Sequence, residues 1–142
     1  MKRLALVLAL ASMMLVPSAR ANGTLYSQLG GYDALAAVTD AFLAKLVADP
    51  SLGRFFVGHS ESSGRRTRQL IVDFLCEKTG GPCAYTGRSM KDAHAGLKIG
   101  EADWNAAAGM LVVTLTEFKV PKPLQDEVVA FVVSLKPDIV GP

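Results

Sequence analysis

Gly80-Gly81-Pro82-Cys83-Ala84-Tyr85-Thr86-Gly87-Arg88-Ser89-Met90-Lys91-Asp92-Ala93-His94 is the stretch on which the reading of this chain turns. Two adjacent glycines, a proline and a further glycine stop any helix that reaches it, and only the run around Ser89 to Ala95 can wind into a short one. Gly96 and Gly100 follow, so the segment from Gly81 to Gly100 is irregular while the chain on both sides is patterned for helix. Long irregular stretches inside a compact domain are usually functional. This one carries His94.

On the N-terminal side, Leu35, Val38, Phe42 and Leu46 recur at three- and four-residue steps, which predicts a helix over Tyr32–Ala48, opened by Gly30-Gly31 and closed by Asp49-Pro50. Leu70, Ile71, Phe74 and Leu75 predict a second helix over Arg66–Lys78, ended by Gly80-Gly81-Pro82. Beyond the irregular segment, Trp104, Ala108, Leu111, Leu115 and Phe118 form one stripe of a helix from about Glu101 to Phe118, with Glu101 and Asp103 at its positive end. Pro121 and Pro123 break it, and Leu124, Val128, Phe131 and Leu135 mark a last helix that stops before Pro137. Strict apolar/polar alternation is absent, and the β-branched clusters Val112-Val113-Thr114 and Val128-Val129 fall inside helical segments. The fold class is all-α.

The chain opens with Lys2-Arg3, an apolar run from Leu4 to Val16, and Ala19-Arg20-Ala21, the order of a secretory signal with an A-x-A cleavage site. That run is shorter than the roughly 20 residues a bilayer span needs, so stable membrane insertion is not expected. The expected organisation is a signal peptide over residues 1–21 and one domain over residues 22–142, delivered to the periplasm or secreted. Cleavage removes Lys2, Arg3 and Arg20 from 15 basic residues and nothing from the 13 acidic ones, which leaves a net charge of −1. No basic footprint for nucleic acid remains. Cys76 and Cys83 are bound for an oxidising compartment, where they either form a disulfide or leave Cys76 as a small buried residue inside a helix.

Histidine is scarce: His59 and His94 are the two in the chain, too few for a zinc site of the H-E-x-x-H kind. A haem asks less of a protein, because the porphyrin supplies four nitrogens and one imidazole completes the attachment. The surrounding text gives that possibility weight. Leu25-Tyr26 before Gly30-Gly31, Ala48-Asp49-Pro50 before Phe55-Phe56, then Gly80-Gly81-Pro82, Tyr85-Thr86-Gly87 and Met90-Lys91-x-x-His94 together resemble group I truncated (two-over-two) haemoglobins, over essentially the whole mature chain.

The resemblance implies a two-over-two helical sandwich with haem b, held non-covalently through its iron, between the layers; neither C-x-x-C nor C-x-x-C-H is present to attach it. It makes His94 the proximal ligand to the metal, packs Phe56 on the porphyrin and puts Trp104 in the pocket. Met90, Leu97 and Ile99 are expected on the proximal wall, Lys91 beside a propionate, and Tyr85, Thr67 and Ile71 among the cofactor contacts. On the opposite, distal side, many group I members carry a tyrosine after the phenylalanine of the first long helix, where its hydroxyl bonds bound O2. Here Phe42 is followed by Leu43. Losing one hydrogen bond to a charged acceptor costs roughly 1.5–3 kcal/mol, about ten- to a hundred-fold in affinity.

Counting back from Gly80-Gly81 puts Thr67 and Ile71 on the distal face and turns Gln69 away, since two residues rotate a helix by about 200°. An insertion after Leu75 would instead bring Gln69 to the iron. His59 reads as a surface-loop residue, with a sixth iron ligand as the alternative. The function so implied is reversible binding of a diatomic gas, O2 with NO or CO as further ligands. The alternative is a haem enzyme, a nitric-oxide dioxygenase or peroxidase-like activity served by a separate electron donor protein, since no flavin or nicotinamide fingerprint is present. A helical interaction module without haem is the third reading. For the leader, mass spectrometry of exported protein is expected to find Asn22 as the N-terminal residue, and an intact Met1 would refute cleavage.

Overall fold

The computed structural model describes residues 23–141, and the leader expected over residues 1–21 lies outside them. Every regular element among the described residues is helical: α1 Leu25–Gln28, α2 Gly31–Ala48, a 3₁₀ turn at Gly53–Phe56, α3 Glu61–Lys78, α4 Met90–His94, α5 Glu101–Glu117, α6 Lys122–Ser134 and α7 Lys136–Ile139. No helix among them is long and apolar enough to cross a membrane.

Two helices start earlier than their apolar stripes predict. The first turn of α3, Glu61-Ser62-Ser63-Gly64, contains no large apolar residue, so hydrophobic periodicity does not register it. A cap starts it instead: Ser60 Oγ accepts from the Ser63 N–H at 3.1 Å, and Glu61 stands at the positive end. In α6, Pro123 sits inside the first turn, where its missing N–H is not needed. Pro137 does the same for α7, a short helix where the sequence pattern ends the chain's last one. Phe118, expected on the α5 stripe, is instead the C-cap of α5 and 42% exposed.

Helix α2 packs on α3 and on α5, and α5 packs on α6, which gives the two-over-two sandwich. Leu111 and Leu115 of α5 and Val128 of α6 are buried at its centre, with Val38 and Phe42 of α2 against them. Full burial of one such leucine contributes about 2 kcal/mol. Because Phe42 points into this core, Leu43, about 100° further round the helix, faces elsewhere. Arg68 of α3 donates from Nε and Nη2 to the two carboxylate oxygens of Asp40 on α2, at 2.7 and 2.8 Å. Tyr32 of α2 accepts from Gln69 Nε2 at 2.6 Å, and the same amide donates to Asp73 at 2.9 Å.

The end of α3 is held four ways. Gly81 N–H donates to Cys76 O at 2.7 Å and Gly80 N–H to Glu77 O at 3.2 Å, the two bonds of a Schellman turn. Gly80 takes φ +87°, which a side chain would oppose. A Cβ on Gly81 would stand 2.6 Å from both Cys76 Sγ and Tyr26 Cδ2, so only glycine fits. Of the two states open to the cysteines, the bridge is realised: Cys76 and Cys83 form a disulfide, and Cys76 is fully buried as well. Beyond it, Tyr85 N–H donates to Glu77 Oε2 at 2.7 Å, its hydroxyl to Arg88 O at 2.6 Å, and its ring meets Phe74 edge-on at 5.1 Å. The first part of the irregular segment is thus fastened to α3 at Cys83 and Tyr85.

The 3₁₀ turn is tied across the molecule to α5. Arg54 Nη2 lies 2.8 Å from both carboxylate oxygens of Asp103, and Asp103 Oδ2 also accepts from the Gly100 N–H at 3.0 Å. The Gly100 N–H and then Arg54 hold this carboxyl below the usual aspartate range. A carboxyl depressed in the folded state stabilises fully above its unfolded value of about 3.9, and that contribution is lost as pH falls through the lower folded value. In acid unfolding curves, Asp103→Asn should therefore be less stable than the parent at neutral pH, with the difference shrinking below about pH 4. Thr39 offers a second test. Its hydroxyl is buried with no hydrogen-bond partner. Thr39→Val should raise unfolding stability by about 1 kcal/mol in urea titrations, and a loss instead would show that the hydroxyl is satisfied.

Candidate functional site

Helix α4 exists because Ser89 caps it, accepting from the Asp92 N–H at 3.1 Å and donating to Asp92 Oδ2 at 2.6 Å. His94 ends this helix, half-buried, with Nδ1 2.8 Å from Met90 O. A carbonyl only accepts, so Nδ1 carries the hydrogen, and in the neutral imidazole the lone pair is then on Nε2. The same bond fixes the ring's orientation, the arrangement by which proteins hold an imidazole ready to ligate.

A cavity of about 460 Å³ opens between the C-terminal half of α2 and the N-terminal half of α3. Leu43 and Val47, and beside them Ala44 and Ala48, are i/i+4 pairs that place one face of α2 against it. Gly64 and Thr67 face it from α3, and Phe56 comes from the 3₁₀ turn. His59 completes the wall from the short loop before α3, its ring edge-on to Phe56 with centroids 6.1 Å apart. The lining carries no carboxylate, lysine or arginine.

A second cavity, of about 450 Å³, lies on the adjoining face of α3. Ser63, Arg66, Thr67 and Leu70 follow the i, i+3, i+4, i+7 spacing of one helical stripe, and Thr86, Gly87 and Arg88 of the irregular segment face them. Thr67 belongs to both cavities. The second is the more polar, with two guanidinium side chains in its wall.

The structure brings Leu43, Phe56, Thr67 and His59 together in the wall of one cavity. Ile71, Met90, Ile99 and Trp104 line neither cavity; the first three are half-buried and Trp104 is 8% exposed. Lys91 and Leu97 are exposed and line neither cavity. Gln69 is exposed and engaged with Tyr32 and Asp73, which fits the register that turns it outward. Tyr85 is taken up by its bonds to Glu77 and Arg88 and its contact with Phe74. Sequence reasoning missed Arg66, Arg88 and Val47. Val47 was recoverable as the i+4 partner of Leu43 and Arg66 as the neighbour of Thr67, whereas Arg88 needed the path of the loop.

The donor set suits a metal that arrives in a macrocycle. Among the described residues no group of three or more His, Cys, Asp and Glu side chains converges on one point, and no cysteine is free. What the chain offers is one oriented imidazole, an apolar cavity, and a polar cavity with two cations, features that match a haem's iron, ring and carboxylates respectively.

Comparison with known proteins agrees with this chemistry. The family profile of bacterial-like globins matches residues 24–140. A group 1 truncated hemoglobin of Mycolicibacterium paratuberculosis is 33% identical over 116 residues, covering 82% of this chain and 83% of that one. One from Tetrahymena pyriformis is 30% identical over 118 residues, 83% of this chain and 95% of its own. The Fe(III) crystal structure of truncated hemoglobin from Tetrahymena pyriformis superposes with a TM-score of 0.77 at 28% identity, covering 84% of this chain and all of the other, 100%. A 2/2 hemoglobin from a Synechococcus species, in the cyanomet state and with covalently attached heme, gives 0.75 at 33% identity, over 83% of this chain and 98% of its own. With the fold, the oriented imidazole and these likenesses in agreement, the chain belongs to the bacterial-like globins, the haem-containing proteins that bind diatomic gases.

Proposed function

We propose that this protein holds haem b non-covalently, with His94 as the protein ligand to the iron, and binds a diatomic gas such as O2 reversibly on the opposite side. The observation that carries the reading is the bond from His94 Nδ1–H to Met90 O at 2.8 Å, which leaves Nε2 free to ligate. The iron of bound haem supplies the coordination position at which the gas is held. Leu43, Val47 and Phe56 keep that side dry and uncharged, and a dry, neutral wall favours a neutral gas over a hydrated anion. Arg66 and Arg88 supply the positive charge that the carboxylates of a haem require, a role the sequence suggested for Lys91. Both cysteines are joined to each other, so neither thiol is available for covalent attachment.

Export belongs to the same proposal. Its support is the signal-like order of residues 1–21 together with the disulfide between Cys76 and Cys83, a bond that persists in oxidising compartments. The periplasm or the cell exterior is where the protein should work.

An absorption spectrum of the purified protein, reduced with and without CO, tests the haem assignment. The parent should show a Soret band that shifts with CO, and His94→Ala should lose most of its haem and recover binding when imidazole is added. Unchanged haem binding and an unchanged spectrum in His94→Ala would refute the ligand.

A further inference from the structure

The helix that carries His94 cannot hold itself. A helix of five residues has too few internal bonds to persist alone, so α4 needs support from outside. Ser89 caps its start. Its body packs on α7, the short helix that Pro137 opens. In α4 the half-buried residues are Met90, Ala93 and His94, and in α7 they are Lys136 and Ile139, the latter its one large apolar side chain. The same C-terminal segment grips the chain twice more, just beyond His94. Gly141 N–H donates to Ile99 O at 3.2 Å, and Lys136 Nζ donates to Glu101 Oε2 at 2.7 Å while standing 6.0 Å from the centre of the Trp104 ring. Residues Lys136 to Gly141 thus hold α4, Ile99 and Glu101 at once.

We propose that the segment from Lys136 to Gly141 is a clasp that sets the pose of His94, with Ile139 as its positioning residue. The inference rests on the haem reading above. The bond from Nδ1 to Met90 O ties the imidazole to the backbone of its own helix, so whatever moves α4 moves the ring. Ile139 therefore acts on the bond between iron and Nε2 through α4, without touching either. A firmly held α4 keeps one ring orientation, and a loosened one samples several.

The test uses the full haem-loaded chain. The iron–histidine stretching band of the ferrous, gas-free protein and the rate of haem transfer to apomyoglobin are measured for the parent, Ile139→Ala, Ile139→Val, Gly141→Pro and Val128→Ala. Val128 lies in the core between α5 and α6, so its truncation lowers stability without touching the clasp. In Ile139→Ala the band should shift and broaden, and haem release should quicken about tenfold. Ile139→Val, which keeps most of the apolar contact, should stay near the parent. Gly141→Pro removes the N–H that reaches Ile99 and no half-buried side chain, so it should move the band the same way even where Ile139→Ala unfolds. A parental band in Gly141→Pro and in folded Ile139→Ala, or the same shift in Val128→Ala, overturns the proposal and leaves the haem reading intact. A parent protein without a Soret band overturns both.

Discussion

The Schellman turn at the end of α3 is the constraint on which the placement of His94 rests. Helix α3 must stop at Lys78, and the chain must reverse within Thr79-Gly80-Gly81, because the next segment has to run back beside α3 before α4 can begin. Two backbone bonds make the reversal and a disulfide clamps it. Tyr85 then docks on Phe74 and Glu77, which aligns Thr86-Gly87-Arg88 with the Ser63–Leu70 stripe. Ser89 caps α4 directly after, and the histidine follows one helical turn beyond Met90. Each step depends on the preceding one, so a segment without regular structure still delivers a side chain to a defined place.

The two cavities beside α3 differ in chemical character. Phe42 and Leu43 are neighbours in sequence, yet one enters the core and the other a cavity wall, because α2 serves α5 with one face and α3 with another. Along α3 the stripe containing Thr67 separates an apolar space from a polar one. A flat cofactor with an apolar ring and an acidic edge calls for this pairing. The Arg54–Asp103 pair keeps the 3₁₀ turn, and with it Phe56, against the start of α5, so the two layers are joined beside the site as well as through the core.

What could be read in advance followed the periodicity of large apolar residues. The stripes of α2 and α5 appeared with nearly their observed limits, since packing against a neighbouring helix imposes a 3.6-residue repeat. The start of α3 did not, because a polar first turn held by a Ser60 cap leaves no apolar trace. Nor did α7, whose Pro137 reads as a stop but occupies a helix's first turn. In the site, Leu43 was legible through the family resemblance, as the residue after Phe42, and Thr67 by counting back from Gly80-Gly81. His59 was visible as a histidine but not as a wall of the cavity, since a loop position has no period to reveal its direction.

The amino-acid sequence by itself determined the helical class, the break between the second and third long helices, and the single histidine within that break. Local chemistry suffices for these: glycine and proline stop helices wherever they fall, and apolar stripes demand partners. Only the tertiary structure decided that Cys76 and Cys83 are bonded, that Gln69 turns outward to Tyr32, that Arg66 and Arg88 share a cavity, and that His59 lines the same cavity as Leu43. Each of these is a meeting between residues on different segments, and segments acquire neighbours only when helices pack.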